Sequence, residues 1–390
     1  MENNKKNGFN AFIKKQYTSL SNRWLAFWRS PGGDTIKTSL IAVAAGLIFG
    51  LIILVIFDPG AAFPAFGEMV FGPLGKGIRG FGDILYKTAP IILTGLSVGF
   101  AFKTGLFNIG APGQFVVAAA VAIVIGQIDG IHPNLHWIIC LLAGTLVGAL
   151  WGLVPGVLKA LANVNEVVST IMMNYIAVNI ASLLIVRFTT LVSGYASIKP
   201  SALLPKWGLD VLFNHPPMID ISILVAIIMA IVVWFILNKT TFGYGLKAVG
   251  LNFDASKYAG INEKRNVILS MMIAGALSGI AGACLYLGGT KMTTAPILAG
   301  EGFSGITVAL LASSHPIGII FAGYFIAHIS IGGSFIRIYG YQGEIASIVT
   351  ASIVYFMGIS VALKKFLTQI KKRTTIKRKS KKTLNKEEIT

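Results

Sequence analysis

Amides, rather than acids or nucleophiles, are the polar side chains that stand among the apolar runs of this chain. The densest group is Gly105-Leu-Phe107-Asn108-Ile-Gly-Ala-Pro112-Gly-Gln114-Phe115, with three glycines, one proline and two amides between two apolar stretches. Glycine and proline break a helix, and the freed backbone groups must find side-chain partners or line a cavity where no water is at hand. Asn108 and Gln114 carry donors and acceptors for either task. Two readings stand side by side: a translocation path, and close helix packing through small residues.

A second group is Asn163-Val-Asn165-Glu166-Val-Val-Ser169-Thr170-Ile-Met-Met-Asn174-Tyr175. Asn165 is placed to cap a helix that begins at Glu166, and a carboxylate suits the positive end of a helix. Spaced by four, Glu166, Thr170 and Asn174 share one face. Asn174 is the deeper of the three and the better candidate to line a path. For Glu166 alone, a capped helix start at headgroup level is an equal reading.

Catalysis is poorly provided for. The chain contains no HExxH or CxxC, so no zinc-hydrolase site is indicated. Gly72-Pro-Leu-Gly-Lys76-Gly77 lacks the GxxxxGK[ST] spacing of a nucleotide-binding loop. Cys140 and Cys284 lie in apolar runs and suggest neither a disulfide nor a metal site. His328 in an apolar helix reads as a packing histidine, and Glu301 as a cap or loop carboxylate; Glu344 is a third polar candidate. No catalytic residue, metal ligand or bound cofactor is assigned.

The elements that must position these residues follow from composition. The 390 residues are 54% hydrophobic and 12% charged, against roughly 25% charged in soluble domains. A helix needs about 20 apolar residues to cross the hydrocarbon. Spans are read at 36–57, 84–102, 112–129, 137–157, 167–187, 221–238, 266–288, 302–313, 316–333 and 343–363. The expected fold is an all-α polytopic membrane protein of about ten transmembrane helices. The eighth and ninth runs, split by Ser314 and His315, read equally as a broken pair or a re-entrant element. The opposite senses of spans two to five and seven to ten allow an inverted repeat. Residues 58–80 and 189–220 read as outer loops, and 239–265 as the longest inner loop, either a contact surface or a solvated connector.

The net charge of +18 sits mainly at the ends, with seven Lys/Arg up to Lys37 and eleven from Lys364 onward. That distribution excludes a nucleic-acid-binding body. With both termini inside, the inner side holds 25 basic residues and the outer side eight, the asymmetry expected of cytoplasmic ends. The domains are therefore a basic cytoplasmic segment at 1–35, a transmembrane body at 36–363 and a basic cytoplasmic tail at 364–390 that contacts anionic lipid. Trp24, Phe27 and Trp28 suggest an interfacial helix before the first span, a disordered basic leader being the equal alternative.

GLFNIGAPGQ at 105–114, NEVVSTIMMNY at 165–175 and GLNFDASKYAGI at 250–261 follow one another in that order. Together they resemble the permease subunits of bacterial ABC importers, in the family that includes ribose, galactose, branched-chain amino-acid and nucleoside permeases. The likeness covers about residues 35–365 and is nearest the simple-sugar/nucleoside branch. Pro112 departs from it, since an acidic residue is associated with that position.

The resemblance implies a short helix near Asn252–Tyr258 that docks on an ATPase subunit. Gly250 and Gly260 are its flanking breaks, Asn252 is its N-cap, and Asp254, Ala255 and Tyr258 lie on it. It also implies that a partner subunit uses ATP, that a second permease completes the path as a heterodimer, and that an extracytoplasmic lipoprotein delivers substrate. The location implied is the bacterial cell membrane. A nucleoside, purine favoured, is the expected cargo, for which Asn108, Gln114 and Asn174 offer hydrogen bonds along the path and Phe107 and Phe115 offer rings for stacking, with a simple sugar such as ribose or galactose as the first alternative. An ion-coupled secondary transporter is the second, and it lacks paired intramembrane carboxylates. A membrane-embedded enzyme is the least supported.

Overall fold

A computed structural model describes residues 31–359 except 216, 217, 343, 346, 350, 354, 357 and 358. The interfacial helix expected near Trp24–Trp28 and the tail from 364 onward lie outside the described residues. Among the described residues the fold is all-α apart from one short hairpin, Leu191–Val192 with Tyr195–Ala196.

The helices run α1 Pro31–Phe57, α2 Ala62–Gly75, α3 Gly77–Lys103, α4 Ala111–Ile125, α5 Pro133–Ala162 and α6 Glu166–Phe188. After the hairpin come α7 Leu209–Leu212, α8 Ser222–Lys239, α9 Thr241–Leu251, α10 Phe253–Tyr258, α11 Glu263–Leu287, α12 Gly300–Leu311 and α13 Pro316–Phe335. Residues 344–359 are helical where described. Where described, each of the ten apolar runs falls largely on helix. Among the described residues seven helices are long and apolar enough to cross a membrane, while α4 and α12 are shorter. At about 1.5 Å per residue, the 12 residues of α12 reach roughly 18 Å, which is too little for a full crossing. The chain between Gly288 and Ala299 that leads into it is not helical.

One reading is corrected. Residues 58–80 are mostly helix rather than a Gly/Pro-rich loop. Pro64 sits in the first turn of α2, where a missing N–H costs nothing, and tertiary packing overrides Gly72 and Pro73. A Cβ on Gly332 of α13 would lie 1.8 Å from the Met69 carbonyl oxygen, so α2 and α13 meet backbone to backbone. His328 Nε2 lies 2.6 Å from the Val70 carbonyl oxygen, within hydrogen-bonding distance.

The chain divides into two units, residues 51–350 and the flanking segments. In the flanking unit, Gly46 lies against the backbone of Ile353, and Phe49 meets Phe356 edge-on at 5.7 Å. In the main unit, α3 and α11 are central. α11 packs on α5, α4 and α3, and α3 packs on α12, α13 and α8.

The α5–α11 contact explains much of the glycine content. Gly144, Gly148, Gly152 and Gly156 form one buried face of α5, and Leu142, Leu146, Leu150, Val154 and Leu158 form an exposed one. A Cβ on Gly148 would come 2.4 Å from the Gly275 carbonyl oxygen, and one on Gly275 would come 2.2 Å from that of Gly148. Small residues inside and leucines outside are the pattern of a helix that packs in lipid, and a soluble protein rarely exposes such a stripe. This is a multi-pass membrane protein.

Candidate functional site

α3 ends where Gly105 takes up a left-handed conformation with φ +76°. Leu106 N donates to the Ala101 carbonyl at 3.1 Å and Gly105 N to Phe102 at 3.1 Å, the Schellman type of helix end that glycine permits. α4 then starts without a side-chain cap from Gly110 and with Pro112 in its first turn. Its orphan amides are met from elsewhere. Gly113 N donates to Asn174 Oδ1 at 2.9 Å, and Gly110 N to Asn108 Oδ1 at 3.1 Å. Asn174 Nδ2 in turn donates to the Ile109 carbonyl at 3.0 Å.

Asn108 and Gln114 pair in both directions, at 3.0 and 3.3 Å. Asn108 Nδ2 also reaches Ser97 Oγ of α3 at 3.4 Å, and Ser278 Oγ of α11 donates to the same Ser97 at 2.8 Å. Toward the α3 C-terminus, Thr104 and Ser270 hydroxyls lie 2.7 Å apart. Phe107 is half-buried and stacks on Phe102 at 5.1 Å, and Phe115 is fully buried with its ring edge-on to Tyr286 at 6.4 Å. All five path candidates thus surround one chain break. Asn108, Gln114, Phe115 and Asn174 are buried within the protomer, and the amides are occupied by backbone and by one another. Pro112, where the resemblance led us to expect an acid, lies against Gly302 of α12, whose Cβ would fall 2.6 Å from the Pro112 Cα. A carboxylate there would meet backbone in place of a ring.

Asn165 caps α6 by accepting from Val167 N at 2.9 Å, and Glu166 pairs with Lys159 at 3.0 Å. Thr170 and Asn174 are on the buried face of α6. Glu301 forms an ion pair with Lys87.

The 239–265 segment holds two helices joined at one residue. Asn252 ends α9 and caps α10, its Oδ1 accepting from Ala255 N at 2.9 Å. Asp254, Ala255 and Tyr258 are exposed, Tyr258 at 92% and Leu251 at 88%. Ser256 anchors the other side, its carbonyl accepting from Ile261 N at 3.0 Å, and Gly260 closes the helix with φ +77°. Partial burial, and then the charges of Lys103 and Lys247, hold the His315 imidazole below its ordinary value.

At the other end of the bundle the 189–220 loop is folded down. Gln127 Nε2 donates to the Ser197 carbonyl at 2.7 Å, and its Oε1 accepts from Thr190 N at 2.7 Å. Ala196 N donates to the Met292 carbonyl at 2.9 Å. The loop ends on Asp220, which no motif singles out. It is 3% exposed; Oδ1 accepts from Ser222 N at 2.7 Å, and Oδ2 has no hydrogen-bond partner among the described residues. Burial, opposed by the Ser222 hydrogen bonds and by Lys206, raises its carboxyl to about 6.

A carboxyl raised in the folded state stabilises the fold while it keeps its proton, and that stability is lost as pH rises from about 4 through about 6. Asp220→Asn is therefore expected to raise the thermal midpoint of the detergent-solubilised protein at pH 7.5 and to leave it unchanged near pH 4. A gain independent of pH would contradict this. At roughly 1.4 kcal/mol per unit the effect is at most about 3 kcal/mol.

A family model described as branched-chain amino acid transport system / permease component matches residues 80–360. Guanosine ABC transporter permease protein NupP of Bacillus subtilis is 35% identical over 339 residues, 86% of this chain and 96% of that protein. Nucleoside ABC transporter permease protein NupB of Lactococcus lactis is 33% identical over 351 residues, 86% and 94% of the two chains. Guanosine ABC transporter permease protein NupQ of Bacillus subtilis is 27% identical over 258 residues, 62% and 77%. No solved structure matches the chain.

Proposed function

We propose, because the chain belongs to the branched-chain amino acid transport system / permease component family, that it is the membrane-spanning subunit of an ATP-driven importer for nucleosides. The observation that carries the substrate class is the identity of 35% and 33% to guanosine and nucleoside permeases along nearly their whole lengths. The chain is a transport component and not a catalyst. ATP hydrolysis is assigned to a separate ATPase subunit, and substrate delivery to an extracytoplasmic lipoprotein. A second, different permease completes the path. The likeness to both NupP and NupQ of one organism supports a heterodimer.

The basic-residue asymmetry supports cytoplasmic termini, with α9 and α10 on the cytoplasmic side. A long helix, a short one and a long one occur in α3–α5 and again in α11–α13, which supports an inverted repeat. Ten membrane-inserted segments are proposed, of which α4 and α12 enter the bilayer without crossing it alone. Asn108, Gln114, Asn174, Phe107 and Phe115 are proposed to shape the path by holding the chain break between α3 and α4. With the amides occupied as they are, their influence on substrate runs through the backbone they fix.

α10 is proposed as the ATPase-docking helix, through Gly250, Asn252, Asp254, Ala255, Tyr258 and Gly260. A short helix with an exposed ring at its end and an alanine on its face fits a groove. Ala255→Trp is expected to reduce uptake by about tenfold or more, the scale of a lost interface anchor, with normal amounts of protein in the membrane. Undiminished uptake would remove α10 from the interface.

Uptake of labelled guanosine and ribose in cells lacking this chain tests the function. Loss of guanosine uptake alone is expected. Loss of ribose uptake alone would move the chain to the sugar branch, and uptake that persists without the ATPase would favour an ion-coupled transporter.

A further inference from the structure

α9 and α10 share Asn252 and have no linker between them. Asn252 N donates to the Ala248 carbonyl at 3.1 Å, closing the last turn of α9, and Ser256 N donates to the Asn252 carbonyl at 3.0 Å, opening α10. A displacement of α10 is therefore passed to the end of α9. Two residues back, Gly250 lies against the chain break at the end of α3. A Cβ on Gly250 would fall 2.4 Å from the Lys103 carbonyl oxygen and 3.0 Å from Thr104 C and Gly105 N. From the other side, a Cβ on Gly105 would fall 3.3 Å from Gly250 Cα. The two backbones touch with no side chain between them. Val249 fixes the surroundings, packed with Ala101, Leu106, Val267, Met271 and Ala274.

Gly105 and Gly250 are themselves exposed, and the contact passes a displacement on because it is backbone against backbone, with no rotamer to absorb one. Beyond Gly105 the chain leads to Asn108, Ile109, Gly110 and Gly113, the groups whose hydrogen bonds to Asn108 and Asn174 set where α4 begins. Gly302 of α12 rests on Pro112 in the next turn. A push on Gly105 thus arrives at the starts of both short helices.

We propose that the Gly105–Gly250 backbone contact transmits the movement of the docking helix to the chain break at the substrate path, so that these glycines are positioning residues for coupled transport. The proposal rests on the importer reading above and on α10 as the docking helix. It requires that the contact, and not merely the left-handed turn at Gly105, be intact.

The test uses the complete transporter in proteoliposomes, with partner permease, ATPase and lipoprotein, and measures guanosine uptake and ATP hydrolysis together. Gly105→Ala is expected to leave hydrolysis near the wild-type rate and to lower guanosine moved per ATP by about tenfold, the range of a site-to-site coupling term. Gly130→Ala is the control for strain. Its φ is +82° and nothing lies within 4 Å of its Cβ, so it keeps the wild-type ratio.

An unchanged ratio in Gly105→Ala overturns the proposal while wild-type uptake still upholds the importer reading. Absence of guanosine uptake in the wild type overturns that reading itself. If Gly105→Ala does not assemble, Gly250→Ala enters the same contact from the other side. A lowered ratio there supports the proposal and an unchanged one overturns it. Loss of assembly in both variants makes the contact one of folding and overturns the proposal as well.

Discussion

Gly275→Leu is expected to eliminate the folded protein from the membrane, and Gly275→Ala to lower its thermal midpoint by about 5 °C. The reason is geometric. A β-carbon at Gly275 would stand 2.2 Å from the Gly148 carbonyl oxygen and 3.0 Å from Gly148 C and Gly152 Cα. Backbone atoms of α5 cannot swing aside as a side chain does, so the helices must part. α11 also carries Gly279 against Gly144 and Gly282 against Phe115, and a shift at Gly275 loosens those contacts too. Membrane helices have no hydrophobic drive toward one another in lipid, so lost close packing is not replaced. Gly67 of α2 has nothing within 4 Å of its Cβ, and Gly67→Ala is expected to be neutral or stabilising by up to ~1 kcal/mol. Thermal unfolding in detergent, followed by the soluble fraction after heating, separates the two. Equal midpoints for Gly275→Ala and wild type would mean that the helices are not in contact as described.

The helices themselves were legible because apolar runs of membrane length have few alternatives. Their lengths were not. α4 and α12 are as apolar as full spans, and nothing local marks α12 as reached by the non-helical stretch from Gly288 to Ala299. α2 was hidden for the opposite reason. Gly72 and Pro73 argue against helix locally, and the partner that outweighs them, α13, lies more than 240 residues on.

The chain break was legible in Gly105, Gly110, Pro112 and Gly113. What its amides do was not, since Asn108 meets Ser97, which in turn meets Ser278 at a separation of 181 residues. Spacing by four at Gly144, Gly148, Gly152 and Gly156 carries a packing signal, yet it does not identify α11 as the partner. Asp220 offered no signal: a carboxylate in a polar, proline-containing loop reads as solvated until the loop is seen folded onto the bundle.

Asn174→Leu is expected to have the second-largest effect. The Asn174 amide holds both sides of the break, accepting from Gly113 N at 2.9 Å and donating to the Ile109 carbonyl at 3.0 Å. Leucine has similar bulk and neither function, so a buried donor and a buried acceptor lose their partners together. Each such loss costs about 1–3 kcal/mol, giving roughly 2–6 kcal/mol for the pair. The same position also separates hydrogen bonding from shape. In Asn174→Asp an ionised carboxylate still accepts from Gly113 N but leaves the Ile109 carbonyl unmet and buries a charge. Both substitutions are expected to lower the thermal midpoint of the detergent-solubilised protein. Thermal midpoints of the three proteins measure this directly. An Asn174→Asp protein as stable as wild type would show that Asn174 faces water, and would reopen its direct contact with the transported solute.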